Sequence, residues 1–159
     1  VTPSAGPPEL RLVPIPTALG PPGTVPVEVR GTDPEGRPVH LRPADGPGPV
    51  LLLFLSTDCL GCGPLWDLAD DPGGRLGAVS VVVLVRRRAE SAAAAAKAGS
   101  GAVVVAPEAF TDYRTPGSPA FALVVPGRAT VAAEGTAAGV AQVVDCVRAA
   151  LAEGGGGGH

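Results

Sequence analysis

The chain has 159 residues, 45% of them apolar but only 3% aromatic, and a formal net charge of −3. That is enough apolar material for one domain with a core of Val, Leu and Ala. The charge gives no general positive field for nucleic acid, and no apolar run reaches the ~18 residues a membrane-spanning helix needs.

More than half of the 23 glycines and 19 prolines gather in the opening fifty residues and in the closing run GGGGG. Residues 1–23 read as a Pro/Gly-rich linker, 24–153 as the folded domain and 154–159 as a disordered Gly-rich tail. The chain contains no Met and opens on Val1. The expectation is that a signal or membrane anchor precedes the linker and that the protein works outside the cytoplasm, tethered or secreted.

Val25 to Val29 alternates as a half-buried strand does, and Pro38 to Leu41 alternates again after the turn residues Thr32 to Gly36. Together they predict a β-hairpin. Val50 to Leu55, VLLLFL, has the length of a strand buried on both faces. Ser56, Thr57 and Asp58 are good N-cap types and predict a helix onward to about Asp70. Ala78 to Val85 is a second buried strand, Glu90 to Ala98 an Ala-rich helix, and Ala102 to Ala106 a short strand. Pro107 opens a short helix to Tyr113. Ala120 to Val125 and a partner beginning at Thr130 form an antiparallel hairpin. Gly135-Thr136 then caps a helix to about Ala152, with Val140, Val143, Val144, Val147 and Leu151 on one face. Buried strands alternating with helices mean an α/β fold, a mixed sheet covered on both sides.

Chemistry concentrates in Phe54 to Trp66, FLSTDCLGCGPLW. Cys59 and Cys62 stand where a buried strand hands over to a helix. The first helical turn carries unpaired N–H groups and partial positive charge, which favour a thiolate by ~0.3–1 kcal/mol. A lowered thiol pKa makes Cys59 a nucleophile, and Cys62, one turn on, can resolve a mixed disulfide. A CxxC beside a βαβ pattern reads as a redox motif. Asp58 works against this, since its carboxylate is expected to push the neighbouring thiol up by like-charge repulsion. Gly63 and Pro64 weaken the first helical turn. VLLLFL contains no acidic residue to serve as a buried proton acceptor.

The segment FLSTDCLGC resembles the active-site region of extracytoplasmic thioredoxin-like proteins, the TlpA-like and methylamine-utilisation disulfide-protein group. The preceding hairpin loop, DPEGRPV from Asp33 to Val39, resembles that group's N-terminal addition. Tyr113 to Phe121, YRTPGSPAF, resembles the segment that ends in a cis-proline. The resemblance covers about residues 24 to 152. It implies a thioredoxin-like fold with an N-terminal β-hairpin, a cis-Pro119 facing the cysteines, and a substrate groove shaped by Gly117, Ser118 and Pro119. It implies thiol–disulfide exchange with protein or small-thiol partners, an electron-donor or acceptor thiol protein, and no cofactor or metal. Many relatives carry Trp before the first cysteine and Pro within the pair; Asp58 and Gly61 stand there instead.

Other readings compete. A non-catalytic binding module could keep the same pair as a structural disulfide. A peroxiredoxin would want Pro where Leu52 stands, although Ser56 has the right offset. Zinc needs about four ligands, and only Cys146, His40, His159 and carboxylates could complete a site. Cys146 is expected as a filler at the edge of the last helix's packed face, Trp66 and Tyr113 as core residues, His40 as solvent-facing, and Arg86-Arg87-Arg88 as a solvated loop.

Overall fold

The computed structural model describes residues 23–70, 74–115 and 117–157, so the linker at 1–22 lies outside the described residues. Among these, strands β1 (Val29–Thr32), β2 (Pro38–Leu41), β3 (Val50–Phe54), β4 (Ser80–Val85), β5 (Ala102–Val105), β6 (Ala120–Val124) and β7 (Ala133–Thr136) form one sheet, ordered β2-β1-β5-β4-β3-β6-β7. Strand β3 runs parallel to β4, and β4 to β5. Every other pairing is antiparallel. The α-helices are α1 (Gly63–Ala69), α2 (Ser91–Ala98), α3 (Pro107–Asp112) and α4 (Val140–Gly157). This is the mixed sheet flanked by helices, with an N-terminal hairpin, that the sequence led us to expect.

The pleat explains why VLLLFL is apolar throughout. Successive strand residues face opposite sides. Leu51, Leu53 and Leu55 enter a core with Leu65, Trp66 and Leu68 of α1, Ala94 and Ala98 of α2, and Val143 and Val147 of α4. Leu52 and Phe54 enter a second core with Val29, Phe110 of α3 and Tyr113. Each of these strand side chains is fully buried, worth ~1.5–3 kcal/mol apiece relative to exposure. Phe54 meets Phe110 edge-on at 5.1 Å between ring centroids. Trp66 and Tyr113 are core residues as expected, His40 is exposed, and Cys146 is half-buried at the margin of the first core.

Four expectations need correction. The first strand begins at Val29, not Val25. Pro26 has no N–H to give a ladder, and Val27 is engaged elsewhere: its N–H donates to the Tyr113 hydroxyl at 2.9 Å, and that hydroxyl donates to the Val27 carbonyl at 2.5 Å. The closing strand runs from Ala133, not Thr130, because Val131 donates to the Thr24 carbonyl instead of a β6 partner. Gly135 and Thr136 are therefore strand residues paired with Phe121 and Ala120. They do not cap α4, which begins at Val140 with the Gln142 side chain accepting from the Ala138 N–H. Helix α4 ends at Gly157, which overlaps the segment read as a tail. Finally, Ser56, Thr57 and Asp58 cap no helix; their groups bond elsewhere, as described below.

Gly31 lies in β1 against β5, and a Cβ there would overlap the Val105 carbonyl oxygen. Gly31→Ala should lower unfolding stability by at least ~2 kcal/mol by forcing the hairpin off the sheet. Urea denaturation checks this, and a loss below ~0.5 kcal/mol would contradict the close approach.

Candidate active site

The site forms where β3 leaves the sheet. Leu55 keeps one last bond, its N–H donating to the Leu84 carbonyl at 3.0 Å, and the chain then turns so that Cys59 N–H donates to the Ser56 carbonyl. A 3-10 turn spans Leu60–Cys62, and α1 starts at Gly63. Cys59 thus stands one turn ahead of the α-helix, with Cys62 at its N-cap. Pro64 falls in the first turn, where an N–H has no intrahelical acceptor, so it removes no helical hydrogen bond.

Cys59 and Cys62 are joined by a disulfide, with Cα atoms 5.4 Å apart. The two cysteines differ in burial. Cys62 is fully buried, Cys59 only partly, and Leu60 between them is 98% exposed. The Ser118-Pro119 peptide is cis. A Cβ built on Gly61 would lie 3.8 Å from Pro119 Cγ and Cδ, so the proline loop stands directly against the cysteine turn. Gly117, Ser118 and Pro119 are all half-buried. A groove of about 410 Å³ opens here, lined by Asp58, Cys59, Arg86, Arg87, Phe110 and Ser118 among others.

The residue that sequence reading missed is Glu90. It lies far from the cysteines in sequence, just before α2, yet its side chain is only 5% exposed and supports their loop. One carboxylate oxygen accepts from the Thr57 N–H at 2.8 Å and from the Ser56 and Thr57 hydroxyls, each at 3.2 Å. The other accepts from Arg87 Nε at 3.0 Å. Burial pushes this carboxyl's pKa up, but the Thr57 N–H, Arg87 and the two hydroxyls outweigh burial and hold it below the ordinary range. The hydroxyls expected to cap a helix donate to Glu90, and Ser56 Oγ accepts from the nearby Asp58 N–H, not from a helix. An apolar run without a carboxylate gave no hint of one arriving from α2's leading turn.

Arg87 bridges outward. Its Nη2 donates to Asp58 Oδ2 at 2.6 Å, so the carboxylate beside Cys59 carries its own counter-charge. Glu90 first and then Asp58 raise the Arg87 pKa. Arg86 rests over the Phe110 ring, its guanidinium carbon 4.6 Å from the centroid. Arg88 donates to the Thr32 hydroxyl at 3.0 Å. The three arginines are exposed, yet each has a definite partner. Among the described residues no group of three or more His, Cys, Asp or Glu is placed to hold a metal ion.

No family model matches the chain. No curated protein matches it by sequence. Solved structures do resemble it. A secreted Mycobacterium tuberculosis disulfide oxidoreductase homologous to Escherichia coli DsbE superposes with a TM-score of 0.59 at 19% identity, over 76% of this chain and 94% of that one. A thiol:disulfide interchange protein DsbE from Chlorobium tepidum gives 0.65 at 18% identity, over 81% and 96%. A peroxiredoxin-like protein from Aquifex aeolicus gives 0.61 at 12% identity, over 82% and 90%. The chain has a thioredoxin-like fold.

Glu90→Gln should cost ~2 kcal/mol of stability at pH 7, since charge-assisted bonds become neutral ones and a donor is forced among donors. The depressed folded-state pKa fixes the sign: Glu90's contribution is complete above its unfolded pKa and is lost as pH falls through the folded value. The difference between wild type and variant in urea denaturation should therefore shrink below about pH 4. A gap constant from pH 7 to 3 would refute this.

Proposed function

We propose that this thioredoxin-fold chain is a thiol–disulfide oxidoreductase acting through Cys59 and Cys62. The observation that carries the reading is the asymmetry of the pair: Cys59 is partly exposed in the groove beside the cis-proline loop, and Cys62 is fully buried. In the reduced protein the Cys59 thiolate attacks a partner disulfide. The partner's S–S bond breaks, a mixed disulfide forms, and the departing sulfur leaves as a thiolate that takes a proton from water. The Cys62 thiolate then attacks Cys59, closes the protein's disulfide and releases the second partner thiolate. Two electrons pass to the partner and none is left over. The reverse sequence oxidises a dithiol.

The remaining site residues have roles on this reading. The Ser118 backbone makes no hydrogen bond among the described residues, which leaves its N–H and C=O for an extended substrate. Gly117 and Pro119 shape the wall beside it. Asp58 modulates Cys59, but against Arg87 and not alone. The likeness to a secreted disulfide oxidoreductase supports a place outside the cytoplasm. There disulfides persist, and residues 1–23 would serve as the tether. A non-catalytic module on the same fold is the competing reading. A reduction potential between about −270 and −120 mV marks an exchanging pair, and one below about −300 mV marks an inert bond.

Insulin reduction with dithiothreitol should be accelerated by the wild type and lost in Cys59→Ser. Cys62→Ser should accumulate a partner-linked mixed disulfide, visible on non-reducing gels. Activity persisting in Cys59→Ser would reverse the roles of the two sulfurs. In the reduced protein, Asp58→Asn should speed Cys59 alkylation at pH 7 by about twofold, and Arg87→Ala should slow it, the scale of an exposed charge pair. Identical rates in all three proteins would remove both side chains from the account.

A further inference from the structure

The thiol–disulfide reading leaves the partner open, and the groove beside Cys59 narrows it. We infer that Arg86 reads a carboxylate lying next to the reacting cysteine of an extended partner polypeptide; this inference rests on the exchange reading above.

Arg86 follows β4 directly, is exposed, and lines the same groove as Cys59 and Ser118. Its guanidinium rests over the Phe110 ring, which is 2% exposed and packed edge-on to Phe54. A guanidinium already held in place loses less freedom when it binds. The other charges here are committed. Arg87 donates to both Glu90 and Asp58, and Glu90 is further occupied by Ser56 and Thr57. Arg88 donates to Thr32. Among the described residues no carboxylate pairs with Arg86. It is the guanidinium that faces this groove without a counter-charge.

Two further features favour a polypeptide over a small thiol. The unpartnered Ser118 backbone offers the two bonds an extended chain can take. Leu60, between the cysteines, is 98% exposed, and the one other large apolar side chain exposed among the described residues, Val25, is only 64% so. An occupant lying across the cysteine turn would cover Leu60, meet Ser118 along its backbone and bring the side chain flanking its cysteine toward Arg86.

The test uses reduced protein in single turnover, without added reductant. Its probes are synthetic extended peptides whose one cysteine carries a neutral 2-thiopyridyl disulfide. The Cys59 thiolate bonds to the peptide sulfur, the peptide–thiopyridyl S–S bond breaks, and thiopyridone leaves with the electron pair and a solvent proton, giving absorbance. The peptides differ only in the residue flanking cysteine: Glu, Gln or Lys. Rates are divided by those for free dithiothreitol, which cancels the peptide's own reactivity.

At low salt the Glu peptide should react about threefold faster than the Gln peptide, as expected of one rim charge acting on association. The preference should vanish in 0.5 M salt, disappear in Arg86→Gln, and turn toward the Lys peptide in Arg86→Glu. Equal Glu and Gln rates in the wild type would overturn the inference, as would a preference surviving Arg86→Gln. So would Arg86-dependent selection of glutathione disulfide without selection among peptides. If release is no faster than from Cys59→Ser, the exchange reading itself fails, because no reaction then remains for a flanking charge to select.

Discussion

The site depends on one strand being covered on both faces. Val50 to Phe54 is an interior strand of the sheet, between β4 and β6, with helices packed above and below. A strand so placed cannot slip by one residue without exchanging its two leucine and phenylalanine sets between cores. Its C-terminal end is therefore a fixed point. The cysteine turn leaves from that point, and β6, beginning directly after Pro119, is registered against the same strand, with Ala120 opposite Phe54. The two halves of the site come together because both are attached to β3.

Glu90 solves a second problem, the loop between that fixed strand and the cysteines. Residues 56–58 are neither strand nor helix, and their donors need partners. A buried carboxylate is costly alone. Here it accepts from a backbone N–H, two hydroxyls and a guanidinium, and these outweigh the cost. The same Arg87 then reaches Asp58 in the open groove. Charge at the loop is thus balanced by a chain of pairs running from the interior to the surface, with Arg86 standing outside it.

The sequence was most readable where one local rule decided the outcome. VLLLFL and VVVLV are long apolar runs, and their strands appear within a residue or two of the expected limits. Pro107 opens α3 as expected. The reading slipped where a distant partner took a backbone group. Val27 is drawn to Tyr113, and Val131 to Thr24, so alternating stretches that look like strands stay outside the ladder or enter it later. Ser56 and Thr57 have the chemistry of helix caps, but the helical turn starts only after Cys59, out of their reach, and their hydroxyls donate to a carboxylate from elsewhere.

By itself, the sequence determined the identity and order of the elements, the position of a CxxC at a strand's end and of a Ser-Pro before another strand. These follow from apolar periodicity and residue type, which act over a few residues. Only the tertiary structure decided which cysteine is partly exposed, which carboxylate supports the cysteine loop, and which arginine remains uncommitted. Those outcomes are set by burial and by competition for donors between segments tens of residues apart, and neither leaves a pattern in the chain.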